Sequence, residues 1–155
     1  MPKSNGKKAT AADAEIVMRL YDLRRESEMR KARMWFGNFN PQSFDELQKI
    51  AMNWGAQENA WFRQVLTYWE NAATLVLRGA VNRDLFMDWN HEMIFVFVKM
   101  KPFIARARQE YRMPDYLGNM EALLNSTPQL KKKVQDMETR MKEWNALRAK
   151  TAKAS

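Results

Sequence analysis

The 155-residue chain contains no cysteine and only one histidine, His91. The first absence excludes disulfides, thiolate nucleophiles, iron–sulfur clusters and cysteine-based zinc sites. The second removes most acid–base and metal schemes, because each needs imidazole in the company of other ligating or nucleophilic groups. Glycine and proline number five each, so breaks are few and long elements are expected. Five scattered glycines also cannot form the loop that cradles a phosphate. The most apolar window, residues 93–98, is ended by Lys99 and Lys101, far short of the roughly 20 apolar residues a membrane-spanning helix needs. Residues 1–12 carry no apolar run of the kind a secretory signal requires. The expected location is the cytoplasm, with no transmembrane segment; peripheral membrane association stays open.

What is present is an ordinary globular mixture: 46% apolar, 12% aromatic and 28% charged residues, enough to bury a core without staples. The net charge of +8 is unevenly placed. Residues 13–130 carry 15 basic and 15 acidic side chains, so the excess lies in the first 12 residues (+3) and the last 25 (+5). A nucleic-acid-binding body more often carries a basic face on the fold itself. Basic ends of this kind support only non-specific, salt-sensitive binding of nucleic acid or anionic surfaces.

Apolar residues recur at helical spacing along the chain, and no stretch has a partner strand. Residues 1–10 read as a disordered basic tail. Thr10 caps a first helix from Ala11 to about Phe36, with Ile16, Leu20, Leu23 and Met34 on one face. Arg24, Arg25, Arg30 and Arg33 read as its solvated side or, more sharply, as a patch for an acidic partner, a reading the interleaved acids weaken. Ser43 and Glu46 have capping-box spacing and open a second helix, ended by Gly55. A third runs from about Gln57 to Arg78 with Trp61, Val65, Trp69, Ala72 and Val76 along its buried stripe, and Gly79 follows it. Asn82 caps a fourth, which Pro102 is expected to kink or end near residues 99–101, a further helical segment starting at the proline. A short helix spans residues 115–125. Pro128 begins the last, where Leu130, Val134, Met137, Met141 and Trp144 make a two-heptad seam for self-association or for packing on the core. The expectation is all-α: an irregular bundle of five to seven helices around the antiparallel pair joined at residues 79–82. Residues 11–127 form the core domain, 128–150 the C-terminal helix and 151–155 a disordered tail.

No catalytic residue, metal ligand or cofactor site stands out. Asp88 with His91 has the spacing of half a helical di-metal motif, but that motif is needed twice. No serine lies in a nucleophile-elbow context. The 12 methionines and 6 tryptophans fall mainly on apolar stripes and read as core. The polar exceptions in the central stretch, residues 61–104, are Glu70, Arg78 and His91, a candidate cluster if the fold brings them together. Glu70 and His91 with Trp61 and Trp89 would then line a pocket.

Residues 68–86 (YWENAATLVLRGAVNRDLF), residues 101–117 (KPFIARARQEYRMPDYL) and the earlier LYDLRRESEMRKAR resemble a bacterial, all-helical family catalogued as a domain of unknown function, DUF4760, over roughly residues 16–124. The resemblance implies an all-α fold and no activity. Members often resemble membrane-attached proteins with a hydrophobic N-terminal helix, which this chain lacks. The reading favoured is a non-catalytic protein-interaction or regulatory domain whose partner is another protein or itself as a homo-oligomer. Two alternatives stand beside it: a binder of nucleic acid or anionic surfaces through the basic ends, and a small-ligand binder or enzyme with a pocket between the central helices.

Overall fold

Helix ends shape this chain more than any sequence repeat. The computed structural model describes residues 7–154, so expectations for residues 1–6 and 155 lie outside the described residues. Eight helices follow in order: α1 (Ala11–Arg25), α2 (Ser27–Asn38), α3 (Phe44–Ala51), α4 (Gln57–Leu77), α5 (Arg83–Trp89), α6 (Glu92–Glu110), α7 (Gly118–Leu124) and α8 (Pro128–Ala154). The fold is all-α, with no strand among the described residues.

Several expected caps are in place. Thr10 and Asp13 form a reciprocal capping box at α1, and Asn82 accepts from the Leu85 N–H at 2.9 Å. Ser43 accepts from Glu46 N, while the Glu46 carboxylate reaches back to Gln42 N rather than to Ser43 N, a box shifted by one residue. Gly79 has φ +73°, the left-handed turn that ends α4 without a Cβ penalty. Thr127 Oγ1 accepts from Leu130 N at 3.2 Å, with Pro128 leading α8.

Two breaks raise the helix count above the five to seven expected. The chain turns extended at Glu26 (φ −55°, ψ 143°), whose carboxylate caps α2 by accepting from Met29 N at 3.0 Å. This re-phases the apolar stripe. Met29, Ala32 and Phe36 are buried, whereas Met34, expected on the inner face, is exposed; Leu23, ahead of the break, is also exposed, because α1 turns Val17, Leu20 and Arg24 inward. The second break is Asn90, fully enclosed, whose side-chain amide donates to the Phe86 carbonyl at 2.8 Å and closes α5. Pro102 neither ends nor restarts a helix: α6 passes through it. The lost hydrogen bond is tolerated because buried side chains on both sides, Val98 and Met100 before and Ile104 and Ala107 after, hold the helix against the core.

α4 is the central element. Val65, Trp69 and Ala73 are completely enclosed. Its closest neighbours are α2 and α7, rather than the helix that follows the turn at residues 79–82, because the short α5 and the break at Asn90 redirect the chain. α3 lies along the start of α4, and α8 packs on α6 and α7. Filling this core with side chains such as Phe36, Leu47, Phe86 and Leu123 contributes about 1.5–3 kcal/mol for each large apolar group buried. α8 continues helical to Ala154, past residue 150 where fading was expected, and every residue from 142 to 154 is exposed.

Candidate functional site

Arginines from the end of α1 and the middle of α2, on either side of the break at Glu26, reach the first turn of α6. Three charged side chains meet there from three helices: Arg24 of α1, Arg33 of α2 and Glu92 of α6. Arg33 grips Glu92 in a fork, its Nε donating to Oε1 at 2.8 Å and to Oε2 at 3.0 Å, its Nη2 also to Oε2. The Arg33 Nη1 donates to the Arg24 carbonyl at 3.3 Å, tying the two helices across the break. Hydrogen bonding to Glu92 holds the Arg33 guanidinium above its ordinary pKa despite partial burial. Glu92 stands in the first turn of α6, where the helix dipole favours a carboxylate.

Arg24 is nine-tenths buried. Its guanidinium lies 5.4 Å from the Tyr21 ring centre and 5.5 Å from that of Trp69, a cation–π placement. Its nearest carboxylate oxygen is Glu92 Oε2 at 3.9 Å, and its buried Nε has no hydrogen-bond partner among the described residues. Beneath this group Tyr68 donates to the Leu20 carbonyl at 2.6 Å, and burial pushes the phenol up to about 12. Tyr21 meets Trp89 edge to face at 5.9 Å, and both rings are partly open to solvent together with Met18. On the other flank a cavity of about 410 Å³ is lined by Arg30, Arg33, Met34, Phe36, Glu92, Phe95 and Val96. The arginine patch of the sequence is therefore divided: Arg24 and Arg33 form a locked base, while Arg25 and Arg30 remain exposed.

Glu70, Arg78 and His91 do not form a bonded cluster. The Glu70 carboxylate accepts from Asn119 N at 2.7 Å, Asn119 Nδ2 at 2.8 Å and Met120 N at 3.0 Å. It caps the free N–H groups at the start of α7, whose preceding residue Leu117 is left-handed and offers no side-chain cap. Arg78 is exposed at the end of α4, and His91 is exposed at the start of α6. Asp88 and His91 fall on opposite sides of the break at Asn90. Among the described residues no three His, Cys, Asp or Glu side chains are grouped to hold a metal ion.

The α8 seam is spent largely on its own chain. Leu130 and Val134 are buried and Met137 and Met141 pack against the core. Trp144 meets Phe95 at 6.5 Å but is 44% exposed, and Leu147 is 59% exposed.

Three polar residues that the sequence left unmarked are structural keys. Asn59 donates to the Ile50 and Ala51 carbonyls at 3.0 and 2.9 Å, closing α3 from α4. Lys99 is 6% exposed and donates to the carbonyls of Phe36, Gly37 and Phe39 at 2.6, 3.2 and 2.6 Å, closing α2 from α6. Burial, with Arg148 nearby, pushes its ammonium down to about 8. Glu92 is the third. The signal for both Lys99 and Glu92 was a charge set directly against one end of the apolar run of one helix. No curated protein and no solved structure matches the chain. One family description does, spanning residues 9–127 and so all of α1 to α7, and by it the chain belongs to the domain of unknown function DUF4760.

Proposed function

We propose that this chain is a non-catalytic interaction domain that docks a protein partner on the face formed by α1 and α5. The observation carrying this reading is how the polar groups are spent. Glu70, Asn59 and Lys99 each close the end of another helix, and Glu92 binds Arg33, which leaves none of them free for proton transfer. The surface above the locked arginines instead presents Met18, Tyr21 and Trp89 with Arg25 over the Tyr21 ring at 5.5 Å. Aromatic and arginine side chains on a rigid base are the usual anchors of protein interfaces.

Selection of a random peptide library on the intact chain tests this. Peptides with an aromatic or apolar anchor are expected, and Tyr21→Ala with Trp89→Ala should weaken them at least about tenfold with the thermal midpoint preserved. No enrichment, or binding indifferent to the double substitution, would remove the reading.

A second reading draws on the end of α8. Residues 145–154 are wholly exposed and carry Arg148, Lys150 and Lys153 with no acid, a segment suited to an anionic surface or nucleic acid. Retention on heparin or DNA should then vanish between low and physiological salt; absence of retention at low salt rejects it. No helix among the described residues is long and apolar enough to cross a membrane.

A further inference from the structure

The cavity between α2 and α6 has an unbalanced charge and an apolar floor, and the two together specify a ligand. Its polar wall is Arg30, Arg33 and Glu92; its apolar wall is Met34, Phe36, Phe95 and Val96. Arg24 adjoins from below, 3.9 Å from Glu92 Oε2. Two guanidinium groups, Arg33 and Arg24, therefore share one carboxylate, and a third, Arg30, stands on the same wall. Arg33 takes it bidentately, Arg24 has only a long contact and a buried Nε with no partner, and Arg30 forms no ion pair, both among the described residues. A buried guanidinium without a full counter-charge is costly, so a second carboxylate entering the site gains more here than on an open surface.

We propose that this cavity binds a carboxylate borne on an apolar body. The entering carboxylate pairs with Arg30 and with the outer edge of Arg33, and Glu92 moves toward Arg24, whose guanidinium already faces it. Two arginine–carboxylate pairs then replace one pair and a remainder. The apolar body lies on Met34, which is 69% exposed, and on Phe95. A cavity of about 410 Å³ holds a chain of several carbons or one aromatic side chain. The carboxylate can come from a free amphiphilic acid or from an acidic side chain beside an aromatic one in a peptide; the chemistry recognised is the same. The site is separate from the Tyr21–Trp89 face and does not depend on a protein partner docking there.

Octanoate and octanol, titrated into the full chain and followed by calorimetry and by backbone-amide and arginine Nε–H NMR shifts, test the proposal. Octanoate should bind at least about tenfold tighter than octanol, with shifts concentrated at Arg30, Arg33, Glu92 and Phe95. Arg30→Gln, at an exposed position, should weaken octanoate several-fold without altering the fold, and Glu92→Gln should tighten it by removing the competing carboxylate. An amidated Glu-Phe peptide identifies the source: tighter binding than octanoate assigns a peptide, weaker binding a free acid. Equal binding of octanoate and octanol, shifts mapping elsewhere, or failure of both octanoate and the peptide to bind overturns the proposal.

Discussion

Lys99 interrupts the most apolar run in the chain and reads as its end, yet it is buried. Its three N–H donors meet three carbonyls left open where α2 terminates, so the charge serves as a cap delivered from another helix. Burial dominates its titration and lowers it to about 8, from 10.5 for a free lysine. Between those values the unfolded chain holds a proton that the folded chain has released. Stability attributable to Lys99 therefore rises as pH climbs from about 8 toward 10.5, and the cost of burying the charge is fully present below 8. Tyr68 works in the opposite sense at higher pH, because its folded value near 12 exceeds its ordinary 10. The clean window is thus pH 8 to 10. Urea midpoints of the wild type and Lys99→Met across that window should show the wild type gaining on the variant as pH increases. A constant difference would mean that the carbonyls hold the ammonium charged.

At the scale of the element, short helices are held by side chains from long ones. α7 has seven residues, too few to persist alone, and it begins after a left-handed Leu117. The Glu70 carboxylate supplies the cap from α4. Glu70→Ala leaves two backbone N–H groups and the Asn119 amide without that acceptor and should cost about 1–3 kcal/mol. The loss should appear in hydrogen exchange as faster exchange across residues 118–124, with α1 and α3 unaffected. Uniform acceleration over the whole chain would instead indicate a general role for Glu70. Asn59 does the same service for α3, and Glu26 for α2 from within its own linker. The apolar periodicity of α1 continues across Glu26, so sequence spacing alone suggests one helix; the extended backbone at that residue is what rotates Met34 to the surface.

At the scale of the whole molecule, most of the apolar seam on α8 is covered by the chain's own core. Leu130 and Val134 complete the core beside α6 and α7, so deleting residues 128–155 would expose that core and confuse association with unfolding. We propose that self-association uses the uncovered end of the seam, Trp144 and Leu147. Light scattering should show a concentration-dependent mass for the wild type and monomer for Trp144→Ser with Leu147→Ser, at equal thermal stability. A monomer at every concentration in the wild type removes self-association altogether.

Several features were legible in the residues themselves. Helical periodicity without partner strands determined an all-α chain. The caps at Thr10, Ser43 and Asn82, and the left-handed Gly79, lie within a few residues of the groups they satisfy, so local chemistry was enough to place them. The absence of cysteine and the single histidine likewise bounded the chemistry. Tertiary structure alone decided what Glu70, Lys99 and Glu92 do, because each acts on a helix remote in sequence: 49 residues separate Glu70 from Asn119, and 59 separate Arg33 from Glu92, whereas Asn59 reaches only the preceding helix, eight and nine residues back. It also decided that Glu70, Arg78 and His91 are not bonded together, and that α4 lies against α2 and α7. The physical reason is that a cap or an ion pair is a demand for a partner of a given type within about 3 Å. A sequence shows which residues can meet such a demand, and only the packing of the helices selects the one that does.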